Sequence, residues 1–204
     1  MRQSPSELPL QCRCGRVRGV ARDMTPSTGF RFVCYCKDCQ AFAHFLKRPD
    51  VLDAASGTDI VQIPPRHLRL TAGADAVRCL RLSNRVYRWY TDCCRTPIAN
   101  TAGPRFPVVG LIHCFIHDEA NGRSRNEVFG PPLCRIFEGS AIAPLPPNAP
   151  PRPSLRLFVQ RASSILSWWL RGLARPTPFF DSATNAPIAV PRMFTAVERA
   201  ALNE

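Results

Sequence analysis

The sequence predicts a mostly β fold: a zinc-containing antiparallel sheet domain over residues 1–142, a Pro-rich linker over 143–153 and a helical extension over 154–204. Three observations predict it. Short β-type runs bounded by Gly, Pro, Asn and Asp recur through the first part, too closely spaced for crossover helices. Seven of the ten cysteines fall in three tight clusters. A Pro-dense segment then gives way to an amphipathic helical pattern.

Taken in order, strands are expected over 16–21, 29–33, 58–63, 68–71, 77–82, 86–90, 108–115 and 133–137. A short helix is expected to open with Asp38 as its cap and to run to Phe45. The segment APLPPNAPPRP, residues 143–153, supports neither a helix nor a central strand, so it is expected to be extended. Over 154–174 the 100° projection gathers Leu155, Phe158, Val159, Ala162, Ile165, Leu166, Trp169, Leu170 and Leu173 on one face, with Leu157 and Trp168 off it. That helix is expected to pack on its own domain; binding of a membrane surface through Trp168-Trp169 is the lesser alternative. The segment 175–180 stops it, and a last short helix is expected over 195–202.

With 45% hydrophobic and 21% charged residues in 204, wholesale disorder is ruled out. No run approaches the roughly 18 apolar residues of a membrane span. The opening MRQSPSELPL has no signal-peptide core, so a cytoplasmic location with reduced thiols is expected. The net charge of +12 comes from 25 Arg and two Lys, Lys37 and Lys47. It forms no basic block, so solvated arginines are expected, and neither nucleic acid nor membrane is an expected partner.

In a reducing compartment, clustered cysteines point to metal. The clusters are Cys12-Arg-Cys14-Gly15, then Cys34-Tyr-Cys36-Lys-Asp-Cys39, then the adjacent pair Cys93-Cys94. Zinc takes four tetrahedral ligands, and short turn-forming segments can each offer two sulfurs; Gly15 allows the tight backbone this needs. A four-sulfur site from Cys12, Cys14, Cys93 and Cys94 leaves Cys34, Cys36 and Cys39 as a three-sulfur site with a vacancy. A closed site is structural, while an open one admits water or a thiol substrate. Two zinc ions are therefore expected.

This pattern resembles the glutathione-dependent formaldehyde-activating enzymes, grouped with centromere protein V, as a divergent bacterial branch. Those proteins carry C-x-C-G, then C-x-C-x-x-C, then an aromatic residue and C-x-x-C-G-T. Cys12–Gly15 matches the first motif, Cys34–Cys39 the second, and Arg88-Trp-Tyr-Thr-Asp-Cys-Cys-Arg-Thr96 looks like the third. The resemblance spans roughly residues 10–115. It implies a mostly antiparallel β fold, a structural zinc from the first and third motifs, and a catalytic zinc on Cys34, Cys36 and Cys39. It also implies carbon–sulfur lyase chemistry on glutathione, a similar thiol or its aldehyde adduct. Aligned on Cys94-Arg-Thr-Pro, the family's first cysteine of the third motif falls on Thr91 and its glycine on Arg95. Cys93 can substitute, but adjacent cysteines lack the usual knuckle geometry, so Cys94 is the safer ligand. The rival reading is a non-catalytic zinc module that binds protein or nucleic acid through a basic surface.

The remaining candidates have plainer explanations. His44, an acid, base or distant ligand on paper, is expected to be a surface histidine. His113 and Cys114 should turn to opposite strand faces, and neither they nor His117 is expected to share a metal. Cys79 and Cys134 are expected to be small buried apolar groups. Asp38 is expected to cap a turn, with support of the zinc sulfurs as its alternative role.

Overall fold

Strand pairing sorts the chain into two sheets. Strand β1, Leu8–Gln11, buries Leu8 and Leu10 and turns Pro9 and Gln11 outward. It pairs antiparallel with β2, Arg18–Ala21, which pairs with β5, Leu68–Ala72. The other strands are β3, Phe30–Cys34; β4, Thr58–Ile63; β6, Val77–Arg81; β7, Tyr87–Thr91; β8, Pro97–Thr101; β9, Val109–Ile112; β10, Cys134–Ile136; and β11, Arg192–Met193. They form one sheet in the order β10-β3-β4-β9-β8-β7-β6-β11. The computed structural model describes residues 7–117 and 124–202; residues 1–6 of the opening segment, 118–123 and the last two of the extension lie outside these.

The mostly β expectation holds, but the sheet is mixed. Its two outermost strands, β10 and β11, run parallel to β3 and β6. Each joins after a long connection, which permits parallel pairing where a hairpin would force the antiparallel one. The expected strand over 108–115 stops at Ile112, and a single 3-10 turn, His113–Phe115, follows. Pro9 and Pro97 hide β1 and β8 from a propensity reading, because proline normally argues against a strand interior.

Between the sheets Trp89 is fully buried among Ile98, Leu111, Phe115 and Phe129. Its indole N–H donates to the Thr101 hydroxyl at 2.9 Å, so the ring is buried without an orphaned donor. Phe179 and Phe180, from the chain after the long helix, complete the same core; Phe179 stacks on Trp89 at 4.8 Å.

Helix α1, Lys37–Leu46, begins at the end of β3, and α2, Arg125–Phe129, carries a Ser124/Glu127 capping box. Asp38 does not cap α1. The N-cap position belongs to Cys36, which makes no side-chain cap bond, and Asp38 sits in the first turn. The Pro-rich segment is extended and lies on the domain: Leu145 packs against the cluster of Val33, Tyr35 and Ala55, and the Arg135 amide donates to the Pro151 carbonyl. Ser154 caps α3, Leu155–Leu170, and Thr195 caps α4, Ala196–Ala201, within its own capping box.

Helix α3 packs with one edge of the projected face, Ile165, and with the residues beside it. Leu157, Arg161, Ile165 and Trp168 turn toward the domain, and Trp168 is 7% exposed. Arg161 lies over the Phe30 and Trp168 rings and donates to Gln62. Leu155, Phe158, Val159, Leu166, Trp169 and Leu170 are all exposed. The projection found the apolar stripe correctly; the domain offers aromatic and aliphatic contacts to the two residues that lie off it.

Candidate metal centres

The first cluster forms where two hairpins meet. Cys12 follows β1 directly, and its amide and carbonyl close a turn on the Val17 carbonyl and the Gly15 amide. Gly15 takes φ of 78°, a left-handed conformation that glycine adopts without steric cost. The Val17 amide donates to the Cys12 sulfur at 3.2 Å, which holds that sulfur in place. From the other side, the β7–β8 turn brings Cys93 and Cys94, with Arg95 at φ 54° reversing the chain.

The four sulfurs of Cys12, Cys14, Cys93 and Cys94 all lie within 4.8 Å of one another. Cys14 and Cys93 are 3.3 Å apart, Cys12 and Cys14 3.6 Å, Cys93 and Cys94 3.8 Å, and Cys12 and Cys93 3.9 Å. Sulfurs about 2.3 Å from one tetrahedral zinc stand about 3.8 Å from each other. The donor set therefore fits zinc, with both members of the adjacent pair included. Cys94 is expected to be the safer ligand of the pair, but Cys93 stands within the same spacing, and Arg95 turns the chain just after them.

The electrostatics of this cluster favour anionic sulfur at one position. Burial raises the Cys94 thiol, but bonds from the Thr91 and Thr96 hydroxyls and from Cys14 outweigh it and lower its pKa to about 6. Burial and the bond with Cys14 push Cys93 up to about 12. A metal replaces all four protons, so these are properties of the metal-free thiols.

The second cluster sits where β3 runs into α1. Cys34 ends the strand, Cys36 occupies the helix N-cap, and Cys39 lies in the first turn, its amide bonded to the Cys36 carbonyl. Among the described residues, no fourth Cys, His, Asp or Glu atom joins their three sulfurs. Hydrogen bonds from Cys34 and then Cys39 lower the Cys36 thiol, against its burial, while the same contacts and burial raise Cys34. One anion is thus stabilised at Cys36, next to the positive end of a helix.

Arg88 lies beneath this cluster, 4% exposed. It donates to the Cys39 sulfur at 3.8 Å and to Asn100 at 3.3 Å, and approaches Asp38 at 3.7 Å. Burial opposes its charge, but Cys39, Cys36 and Asp38 outweigh burial and raise its pKa. Asp38 is held in turn by Arg199 of α4 at 2.5 Å. Asp38 thus supports the sulfurs through Arg88 instead of capping the helix. Sequence reasoning did not single out Arg88 or Arg199: one arginine among 25 carries no mark of its burial. Leu157 of α3 packs on the Cys34, Cys39 and Cys134 cluster, so the extension touches this centre at two points.

Arg88→Met should test this support. Removing the charge and the hydrogen bond is expected to weaken zinc binding at the triplet about 10–100-fold, leaving the four-sulfur site unchanged. Competition with a chromophoric chelator reads both affinities, and an unaltered weaker site would show that Arg88 serves the core alone.

The other candidates stay outside both centres. His44 is exposed, its ring bonded to the Leu202 carbonyl at 2.7 Å. His113 and Cys114 lie in a 3-10 turn, so strand alternation does not separate them; His113 meets the Asp59 carbonyl and Cys114 the Pro97 carbonyl. Cys79 and Cys134 are buried in apolar clusters.

A model of a family of unknown function, DUF6151, matches residues 5–190. No curated protein matches. Among solved structures, the crystal structure of a Rhodobacter sphaeroides protein from Northeast Structural Genomics is similar over 54% of this chain and 88% of its own. It shares 13% identity at a TM-score of 0.40, and at that level the likeness supports no inference.

Proposed function

We propose that this chain, which belongs to the family of unknown function DUF6151, is a two-zinc protein with a closed structural site and an open site for carbon–sulfur lyase chemistry on a small thiol. The observation that carries this reading is the contrast between the two clusters. One supplies four sulfurs; the other supplies three, with no fourth protein ligand among the described residues and a buried arginine beneath.

The order of the three cysteine motifs supports the same reading, through the resemblance to formaldehyde-activating enzymes. Where the third motif departs, local contacts compensate. Thr91, at the position of the missing cysteine, bonds the Cys94 sulfur at 3.4 Å, and Cys93 brings the missing sulfur. Arg95 adopts the left-handed conformation that the family's glycine would take.

Cys34, Cys36 and Cys39 would hold the ion of the open site, which would supply a Lewis acid that favours a thiolate over a thiol. Three thiolates would give the occupied site a formal charge of −1, which Arg88 would offset. Asp38 and Asn100 keep the guanidinium turned to the sulfurs. In adduct formation, a thiol releases its proton, its sulfur bonds to the carbon of an aldehyde, and the carbonyl oxygen takes up a proton. The reverse reaction breaks that C–S bond.

Cobalt substitution tests the proposal. Glutathione should perturb the visible spectrum of the cobalt-loaded protein, increasingly as the pH rises toward the thiol pKa of about 8.5. Cys36→Ser should lose one metal equivalent and the whole response. A spectrum that no small thiol changes over that range overturns the lyase reading and leaves a zinc-stabilised binding domain.

A further inference from the structure

The outer face of α3 is apolar and has no partner within the described chain. Leu155 is 79% exposed, Phe158 68%, Leu170 70% and Trp169 59%. With Val159 and Leu166 these residues form a stripe about 120° wide along a helix about 24 Å long. The stripe continues onto Phe106, across a groove of about 400 Å³ that Ile165, Leu166, Trp169 and Arg105 also line. Singly exposed apolar residues are ordinary, but a contiguous face of this kind marks an interaction surface.

Charge identifies its partner. Residues 139–180 contain five arginines and no Asp or Glu; Arg161 faces the domain and Arg152 pairs with Glu138, so Arg156, Arg171 and Arg175 carry the remaining charge. Arg156 borders the stripe on its polar side, and Arg105 and Arg175 line the adjoining depression beside Trp169. The domain contacts Leu157, Arg161, Ile165 and Trp168, which centre about 120° around the helix from the stripe, so the stripe can lie against a plane with the domain beside and above it. A second copy pairing through this face would bring like charges together. Among the described residues no helix is long and apolar enough to cross a membrane. We infer that α3 is an in-plane anchor that docks the protein on an anionic phospholipid surface, with the apolar stripe at the acyl boundary and the arginines at the headgroups. Trp169 sits at the level where indole is favoured.

The test uses the full zinc-loaded chain and vesicles of phosphatidylcholine, alone or with about a third phosphatidylglycerol. The protein should co-sediment with the anionic vesicles alone, and added salt should weaken binding. Trp89 and Trp168 are already buried, so a blue shift of emission on binding reports Trp169; Trp169→Phe should bind without it. Leu166→Ser with Leu170→Ser should reduce partitioning at least about tenfold. Arg156→Gln should reduce it about fivefold. The inference is overturned if anionic vesicles do not bind the protein or if binding survives the double serine change. A stable dimer that the serine changes dissolve would overturn it too, since the face would then join two copies. None of these readouts depends on the thiol chemistry.

Discussion

Cys14→Ser is expected to leave the protein unfolded or insoluble. Cys12 and Cys14 lie in the β1–β2 turn of one sheet, and Cys93 and Cys94 in the β7–β8 turn of the other, some 80 residues away. An ion on these four sulfurs would tie the two sheets together at their ends. A structural zinc contributes on the order of 10 kcal/mol to folding, comparable to the whole stability of a domain. Losing one of four thiolates removes most of that. Cys93→Ser and Cys94→Ser should behave like Cys14→Ser, because all four sulfurs occupy the same tetrahedral spacing. Zinc content and thermal unfolding of the soluble fraction decide the matter. A soluble Cys14→Ser protein with full zinc content and an unchanged melting temperature would contradict the assignment.

The two cysteine clusters were legible in the sequence because metal ligation is local in chain and stringent in type. C-x-C-G and C-x-C-x-x-C announce their geometry through spacing alone, and the division into four and three sulfurs follows from the count. The surroundings were less legible. Arg88 reads as one more arginine in a β run, and its burial depends on Asp38 and Cys39 of α1 and Asn100 of β8, which the fold brings in from two other segments. Most strands could be read from turn residues and β-branched runs, while β1 and β8 were masked by their prolines. Helix α2 carries a readable signal, Ser124 followed by Glu127, in a segment dominated by loop composition. Helix α3 shows the limit of periodicity most clearly. The projection identifies an apolar stripe, but which face meets the domain depends on what the domain presents, here Phe30, Val108 and the Cys34 cluster.

Phe179→Ala should destabilise the protein by about 3–5 kcal/mol, a large fraction of the stability of a single domain. Phe179 is fully buried although it follows a Pro-rich turn some 90 residues from the ring it covers. It stacks on Trp89 at 20° between planes, and Phe180 meets the same indole edge-on at 5.5 Å. Truncation leaves a cavity against Trp89, and a rigid β core can collapse into it only partly. The stacked geometry adds about 0.5–1.5 kcal/mol beyond the area lost. Leu170→Ala provides the contrast. Leu170 is larger than alanine by the same kind of apolar group but 70% exposed, so its removal should change stability by about 0.5 kcal/mol or less. Denaturant unfolding of the zinc-saturated variants measures both. If Phe179→Ala falls within about 1 kcal/mol of the parent, the chain beyond α3 does not complete the core. A loss near the upper value, with Leu170→Ala silent, makes residues 179–180 a structural part of the β domain, and shortening the chain after α3 should then expose Trp89 and abolish soluble expression.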